Sequence, residues 1–430
     1  MLYKNYIFLK GKIPMKASES VARYDSEVRL YTNYAIKNIK KVCKDFGPRP
    51  VGSEAEKNAQ LHMKKELESS CDTVTREEYK CSDKAFMAWV PLGAVLILFS
   101  IVMFSLGIPV ASLAASLVTL FIILAEFIFY KPVLDVFFPK KTSGNVIGVR
   151  KASGETKKRI IIAGHTDSAF EWTYTYHGGH NAVLTIILTA VIAILLGIGG
   201  SIYALIADVQ GIVWTGDNLA MKIIAVVTYV TVPVICAAIV FTNYKRPVMG
   251  ANDDLSGCFI SAAVVKFLAA NDIRFENTEV VAAMVGGEEA GLRGTKAYMK
   301  AHAQEFKDDK NVETIFVAFD TIREHEFMAI YDKDMTGVVK NDKRVAKLLQ
   351  DAAKEVGYDV PIKAIELGST DAAAASQAGI PAASFTAMDP APARYYHTRL
   401  DTEDNLDPKT LEIGLKIALE TVFDFDEKGI

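Results

Sequence analysis

Two adjacent glutamates, Glu288 and Glu289, follow an apolar run in the stretch MVGGEEAGLRGTKAY and precede a segment that can form a helix. Other residues able to bind a metal ion also follow apolar runs or lie in loops, namely His165, Asp253, Asp320 and His397. Imidazole nitrogen and carboxylate oxygen are suitable ligands for zinc. Five of these six residues could hold two metal ions if one carboxylate bridges both, which leaves a single glutamate free.

A free carboxylate beside a metal-activated water is the arrangement that hydrolysis requires. The metal lowers the pKa of the water to about 7, and the carboxylate removes its proton. We therefore expect one of the adjacent glutamates to bind metal and the other to transfer protons. Each motif alone is weak, because NDD before a helix is often a cap and GGEE is usually a solvated turn. The order and location of the motifs together carry the prediction.

The apolar runs predict the strands that position these residues. RIIIAG is followed by His165, TEVVAAMVGG by Glu288 and TIFVAF by Asp320, whereas IPAASFTA precedes the YYHT loop that holds His397. Short β-branched runs alternate with helical stretches, so we predict an α/β fold with a mostly parallel mixed sheet flanked by helices. In such sheets ligands bind beyond the carboxyl ends of the strands.

Two apolar blocks interrupt this pattern and account for the high hydrophobic content, 50% of 430 residues. The first predicts helices over 86–106 and 108–129, and the second over 182–207 and 223–241. About 20 helical residues cross a hydrocarbon layer about 30 Å thick, so each block predicts a transmembrane hairpin. Buried core helices are the alternative, but four of them exceed what a core of this size needs.

The hairpins leave and re-enter the polar part of the chain, so all polar segments lie on one side of the membrane. Basic residues flank the hairpin bases, namely Lys80, Lys84, Lys131, Lys140, Lys141, Lys245 and Arg246. The positive-inside rule therefore predicts an integral protein of the cell membrane whose catalytic domain faces the cytoplasm. Five cysteines without a disulfide or metal spacing agree with this placement. The N-terminal MLYKNYIFLKGKIP, which has no apolar core for a secretory signal, also agrees.

One α/β domain interrupted by two hairpins is the predicted organisation. Its segments are 1–85, the first hairpin at 86–130, 131–181 with the first metal ligand, the second hairpin at 182–241, and 242–430. The net charge of −3 gives no indication of nucleic acid binding. The oligomeric state stays open at this point.

The motifs resemble those of the co-catalytic di-zinc aminopeptidase family, which includes glutamate carboxypeptidase-like and glutaminyl cyclase-like members. The matching stretches are GHTDS (164–168), GANDDLSG (250–257), GGEEAGLRGT (286–295), AFDTI (318–322) and YYHTRLDTEDNLD (395–407). DFGPRPVGSEAEKNAQ (45–60) is similar to the segment that precedes the catalytic core in that family. The resemblance covers nearly all of the polar part, whereas the four apolar segments look like insertions.

The resemblance implies two zinc ions and a role for each site residue. The implied metal ligands are His165 and Asp320 for one ion, Glu289 and His397 for the other, and Asp253 as the bridge between them. Glu288 would be the general base and acid, and Asp167 would orient the imidazole of His165. Asp254 is expected to support the bridging residue, and Asp401 to orient His397.

The chain departs from the family in GSTDAAAASQAGIP (368–381), where many relatives have a Ser-Asp-His run. Asp371 fits that run, but Ala372 stands at the histidine position, which concerns the substrate pocket rather than the metals. Aromatic residues in SAFEWTYTYHGGHN (168–181) could line the substrate site, although an interfacial belt is the favoured interpretation. His177 and His180 are expected to be loop residues rather than a metal-binding pair.

These observations predict a membrane-bound zinc aminopeptidase that hydrolyses N-terminal residues from peptides with a free N-terminus. The expected partners are therefore a peptide substrate and the lipid bilayer. One alternative is another di-zinc exopeptidase or amidohydrolase, such as a carboxypeptidase. A second alternative is a catalytically dead membrane receptor or scaffold with a peptidase fold.

Overall fold

Strands and helices alternate along the chain in a computed structural model that describes residues 17–208, 211–391 and 393–430. The N-terminal stretch considered above for a secretory signal lies outside the described residues. The helices are α1 (Ala17–Phe46), α2 (Glu54–Glu68), α3 (Trp89–Ser105), α4 (Pro109–Ile123), α5 (Thr173–Ile206), α6 (Leu219–Ala238), α7 (Leu255–Ala270), α8 (Arg293–Asp308), α9 (Lys343–Glu355), α10 (Asp371–Gln377) and α11 (Pro408–Lys428). The strands are β1 (Thr73–Cys81), β2 (Lys141–Arg150), β3 (Lys158–His165), β4 (Phe170–Trp172), β5 (Thr242–Pro247), β6 (Thr278–Val285), β7 (Glu313–Ile322), β8 (Met328–Asp334), β9 (Val339–Lys340), β10 (Ile362–Ala364) and β11 (Ala382–Ala387).

One large sheet organises the polar domain in the order β1-β2-β6-β3-β7-β11-β8-β10, with β9 beside β8. The central strands β6, β3, β7 and β11 run parallel, whereas the pairs β1–β2, β2–β6 and β8–β11 are antiparallel. The predicted mixed α/β sheet is therefore confirmed. Because parallel strands end at the same edge, His165 lies beside Val285 at the ends of β3 and β6. Asp320 is near the end of the next strand, β7.

Helices cover both faces of this sheet. Helix α7 packs against the central strands with nearly all of its side chains buried, including Phe259 and Phe267, and α1, α9 and α11 lie on the same side. The carboxylate of Asp254 caps α7 by accepting the backbone N–H of Gly257. Helices α8 and α10 contribute to a second apolar layer against the other face. Helices therefore enclose both faces of the sheet, and its carboxyl edge holds polar side chains in position.

Among the described residues, four helical segments are long and apolar enough to cross a membrane. They are Phe86–Ser105, Pro109–Ile128, Thr173–Ile206 and Leu219–Ala238. The third begins at Thr173 rather than at the predicted residue 182, because the aromatic stretch before it is also helical. The backbone leaves the helical conformation once, at Gly179, whose φ of 60° favours glycine.

The four apolar helices pack on one another through small side chains. The hydroxyl oxygen of Ser100 lies 2.9 Å from that of Ser112 and 2.8 Å from that of Ser116. A Cβ added at Gly197 would approach the hydroxyl of Ser116 to 2.3 Å, so a larger residue would require Ser116 to move. Close approach at small residues is typical of helix association in lipid. Large apolar side chains such as Val230 remain exposed on the outside of the bundle.

Candidate metal centre

The six polar residues predicted to form a site come together at the carboxyl edge of the parallel strands. Three overlapping groups of described side chains have ligand atoms within 4.8 Å of one another. They are His165 with Asp253 and Asp320, Asp253 with Glu289 and His397, and His165 with Glu288 and Glu289. The first two groups share Asp253, which therefore lies between two adjacent positions for a metal ion.

Both carboxylate oxygens of Asp253 face an imidazole. Its Oδ1 lies 3.1 Å from Nε2 of His165, and its Oδ2 lies 3.1 Å from Nε2 of His397. Nε2 of His397 is also 3.2 Å from Oε1 of Glu289. Ligand atoms of a tetrahedral zinc ion are about 3.3 Å apart, given bonds of about 2.0–2.1 Å. The spacing and chemistry of these donors therefore fit zinc.

The electrostatics of the site also favour a cation. Burial, together with the charge of Asp253, raises the pKa of Asp320 to about 7. Burial likewise raises the pKa of Glu289 above its usual value and that of Glu288 well above it. Burial alone would lower the pKa of His397, but Glu289 and Asp253 outweigh it and raise that pKa to about 10. Several buried carboxylates that repel one another are stabilised by a divalent metal ion.

Asp167 is fully buried and contacts both sides of the site. Its Oδ1 accepts the backbone N–H of Glu288 at 3.2 Å, and its Oδ2 accepts that of Glu289 at 3.0 Å. The same Oδ1 lies 3.5 Å from Nδ1 of His165. The structure thus places Asp167 where it was expected, beside the first histidine. It also adds a contact that the sequence did not indicate, with the turn that carries both glutamates.

Asp254 and Asp401 hold the backbone around the bridging position. Asp254 accepts the backbone N–H of His165 at 3.0 Å through Oδ2. Asp401 accepts the backbone N–H groups of Asn252 at 2.9 Å and Asp253 at 3.1 Å. The sequence suggested that Asp401 orients His397. In the structure, Asp401 instead positions the bridging residue Asp253. Nδ1 of His397 has no hydrogen-bond partner among the described residues.

Comparison with known proteins agrees with this geometry. The model of peptidase family M28 matches residues 231–422. The resemblance to the co-catalytic zinc peptidases is therefore confirmed. The family and the fold indicate a hydrolase and imply zinc.

Solved aminopeptidases and glutaminyl cyclases share the fold of the chain. One is a zinc aminopeptidase from Bacillus subtilis, at 14% identity over 92% of this chain and 95% of that chain, with a TM-score of 0.54. An aminopeptidase from Aneurinibacillus sp. strain AM-1 has 14% identity over 90% and 93%, with a TM-score of 0.53. A glutaminyl cyclase from an Acidobacteriales bacterium has 14% identity over 93% and 96%, also with a TM-score of 0.53. No curated protein matches the chain in sequence.

Aromatic rings hold the imidazole of His397 in place. The ring of Tyr396 stacks on the imidazole at 3.9 Å between centroids, and the ring of Trp172 meets it edge-on at 4.5 Å. The backbone N–H of Trp172 donates to the carbonyl of His397 at 2.8 Å. Trp172 directly precedes α5, so part of the aromatic stretch 168–181 contacts the metal centre instead of serving only as an interfacial belt.

Arg49 is a structural support of the candidate metal centre that sequence reasoning missed. Its guanidinium is fully buried and donates to the carbonyls of Thr166 at 2.9 Å, Met249 at 2.8 Å and Gly250 at 2.9 Å. These carbonyls belong to the loops beside His165 and Asp253. The available signal was an arginine between two prolines in GPRPVGS, which by itself does not indicate a buried residue.

The departure from the family at 368–381 has a structural explanation. Asp371 is buried at the start of α10 and, after burial and Asp253, adds to the raised pKa of Asp320. Ala372 is fully buried in the apolar layer that also contains residues of the sheet and of α8. His177 and His180 lie in helix α5, so the expectation that they are loop residues is wrong, but they belong to none of the metal-binding groups found among the described residues.

Proposed function

We propose that the protein is a membrane-bound aminopeptidase that uses two zinc ions to hydrolyse N-terminal residues from peptides. One observation carries the proposal. Asp253 is shared by two ligand groups, which leaves Glu288 outside that pair. His165, Asp320 and Asp253 would hold one ion, and Asp253, Glu289 and His397 the other. Bound zinc would supply the Lewis acidity that makes a water molecule nucleophilic near neutral pH.

Glu288 would carry the proton during the reaction. Its Oε2 lies 4.0 Å from Nε2 of His165, so the carboxylate borders the ligand set. It would accept a proton from the attacking water and then donate it to the departing amine. Asp167 would keep this carboxylate in position, because it fixes the backbone N–H groups of both glutamates.

The bilayer is the second partner in this proposal. The four apolar helices would cross it, and their exposed apolar side chains would contact the lipid tails. Lysines and an arginine at the hairpin bases favour an orientation in the cell membrane in which the peptidase domain faces the cytoplasm.

Substitution of the base tests the proposal. Glu288→Gln keeps the shape of the side chain but removes its basicity, so activity should fall by at least about 100-fold while zinc content is retained. Glu305→Gln, on the exposed face of α8, is the matched control and should keep full activity and zinc content. Peptide hydrolysis at the parental rate by the Glu288 variant would disprove the role of the base.

A substrate panel separates the aminopeptidase from its alternatives. Peptides with free and blocked termini distinguish an aminopeptidase from a carboxypeptidase or amidohydrolase. A peptide that begins with glutamine belongs in the panel, because solved glutaminyl cyclases share the fold. An inactive receptor or scaffold would process none of them, although the complete ligand set argues against that alternative.

A further inference from the structure

A cavity that contains four lysines opens beside the end of the first hairpin. It lies between residues 129–132, which follow the spanning segment Pro109–Ile128, and the helices α8 and α10. Its volume is about 520 Å³, within the range of roughly 300–1,000 Å³ that small-molecule sites have. The charged residues among its described lining are all basic, namely Lys131, Lys296, Lys300 and Lys307.

The two acids nearest to the positive charge of this cavity are shared with an arginine. Two nearby acids, Glu126 and Asp135, already face Arg293, at 3.8 Å and 2.9 Å respectively. Burial, followed by the charges of Arg293 and Lys131, lowers the pKa of Lys296 to about 7. An anion in the cavity would relieve this repulsion and hold Lys296 in its charged form.

The position of the cavity indicates the source of such an anion. Phe129 follows the spanning segment and is 44% exposed. Val136 and Phe137, on the same connection between the hairpin and β2, are 76% and 78% exposed. Large apolar side chains next to a basic cavity at the end of a membrane span are suited to the interface between lipid headgroups and acyl chains.

We propose that this cavity binds the phosphate group of an anionic membrane lipid. Lys300 and Lys307 are exposed on α8 and would contact the phosphate, while the exposed ring of Phe129 would face the acyl chains. Lys296 donates to the carbonyl of Tyr130 at 2.7 Å and of Gly291 at 3.0 Å, so the bound headgroup would lie next to the loop that follows Glu289. The site rests on the membrane placement proposed above and does not depend on peptidase activity.

Lipid binding to the full-length purified protein in neutral detergent tests the site. We expect short-chain phosphatidylglycerol to bind more tightly than phosphatidylcholine of the same chain length, as measured by native mass spectrometry. In the Lys300→Gln/Lys307→Gln variant the affinity for phosphatidylglycerol should fall about 30-fold, because each lysine near an anionic surface contributes roughly a fivefold factor. Lys343→Gln/Lys354→Gln removes the same charge from the exposed face of α9 and should leave that affinity unchanged.

Equal phosphatidylglycerol affinity in the cavity variant and the parent would overturn the proposal. Equal affinity of the parent for the two lipids would do the same. Displacement of the lipid by millimolar inorganic phosphate would show a free-phosphate site and would overturn the lipid assignment. Zinc content and elution volume of each variant report whether it is folded. A protein that binds lipid as expected but cleaves no peptide would disprove the proposed activity and leave this site standing.

Discussion

Neighbouring residues in the chain perform different tasks at the metal centre. Glu289 contacts His397, whereas Glu288 lies closer to His165, although the two glutamates are adjacent. Both of their backbone N–H groups bind Asp167, which fixes the turn and therefore directs the two carboxylates to different places. Separate roles for adjacent residues depend on this buried anchor as much as on the glutamates themselves.

Asp167→Asn tests the anchor. An asparagine offers one acceptor oxygen and turns an N–H₂ donor towards a backbone donor, which leaves a buried group unsatisfied. Zinc affinity should fall about 10–100-fold, the usual effect of changing a residue that orients a metal ligand, with a matching loss of peptidase activity. Competition with a chromophoric chelator measures the affinity.

The exposed residue Asp359 provides the control for this change. Asp359→Asn alters the charge by the same amount and should leave zinc affinity at the parental value. If the Asp167 variant also binds zinc as tightly as the parent, Asp167 does not orient the site.

The sequence predicts metal ligands better than the residues that support them. Ligand types are restricted by zinc chemistry, so His165 and Asp253 could be named from motif and location. Asp401 was expected to serve His397, but it binds the backbone of Asn252 and Asp253. A contact between backbone and side chain about 150 positions apart leaves no local pattern in the sequence, so only the fold reveals it.

At the scale of elements, the first hairpin is connected to the peptidase site by buried charges. Arg293 begins α8, directly after the loop that follows Glu289, and its guanidinium is 2.9 Å from Asp135 and 3.8 Å from Glu126. Glu126 is fully buried in the π-helical turn that ends the second spanning segment. The base of the hairpin therefore contacts the start of α8, next to the loop that follows Glu289, through a cluster of charged side chains.

Arg293→Met should destabilise the protein far more than the loss of a surface ion pair would. Removing one partner of a buried pair leaves uncompensated charge and costs about 3–5 kcal/mol. Thermal unfolding in detergent measures the change. The matched variant Arg344→Met breaks an exposed pair with Asp342, which contributes about 0–1 kcal/mol. Equal shifts of the melting temperature in the two variants would contradict the buried cluster.

Element boundaries were predictable where composition is uniform. Both spans of the first hairpin follow long apolar runs, so their predicted limits agree closely with the structure. The start of α5 was missed because TYTYHGGHN is polar, aromatic and rich in glycine, which locally favours a loop. Tertiary contacts override that preference, since the hydroxyl of Tyr174 donates to the carbonyl of Ala237 in α6 at 2.9 Å.

For the whole molecule, both hairpin bases meet the edge of the sheet that carries the metal centre. Trp172, before the second hairpin, packs on His397, and Asp135, after the first, binds Arg293. The edge of the sheet that carries the candidate metal ligands is therefore on the side of the domain from which the apolar helices emerge. In the membrane placement proposed above, a substrate would reach the candidate metal ligands close to the membrane surface, on the side where the basic residues of the hairpin bases lie.

Labelling of single cysteines in intact cells tests which side that is. Gly216→Cys lies in the exposed connection between α5 and α6, at the far end of the second hairpin. Lys333→Cys lies on the exposed part of β8 in the peptidase domain. A membrane-impermeant maleimide should label the first variant in intact cells and the second only after permeabilisation, because the positive-inside rule predicts that the basic hairpin bases remain in the cytoplasm. The parent chain, with its own five cysteines, sets the background.

Labelling of Lys333→Cys before permeabilisation, with Gly216→Cys protected, would place the peptidase domain outside the cell. The charge asymmetry of the loops would then not determine the orientation.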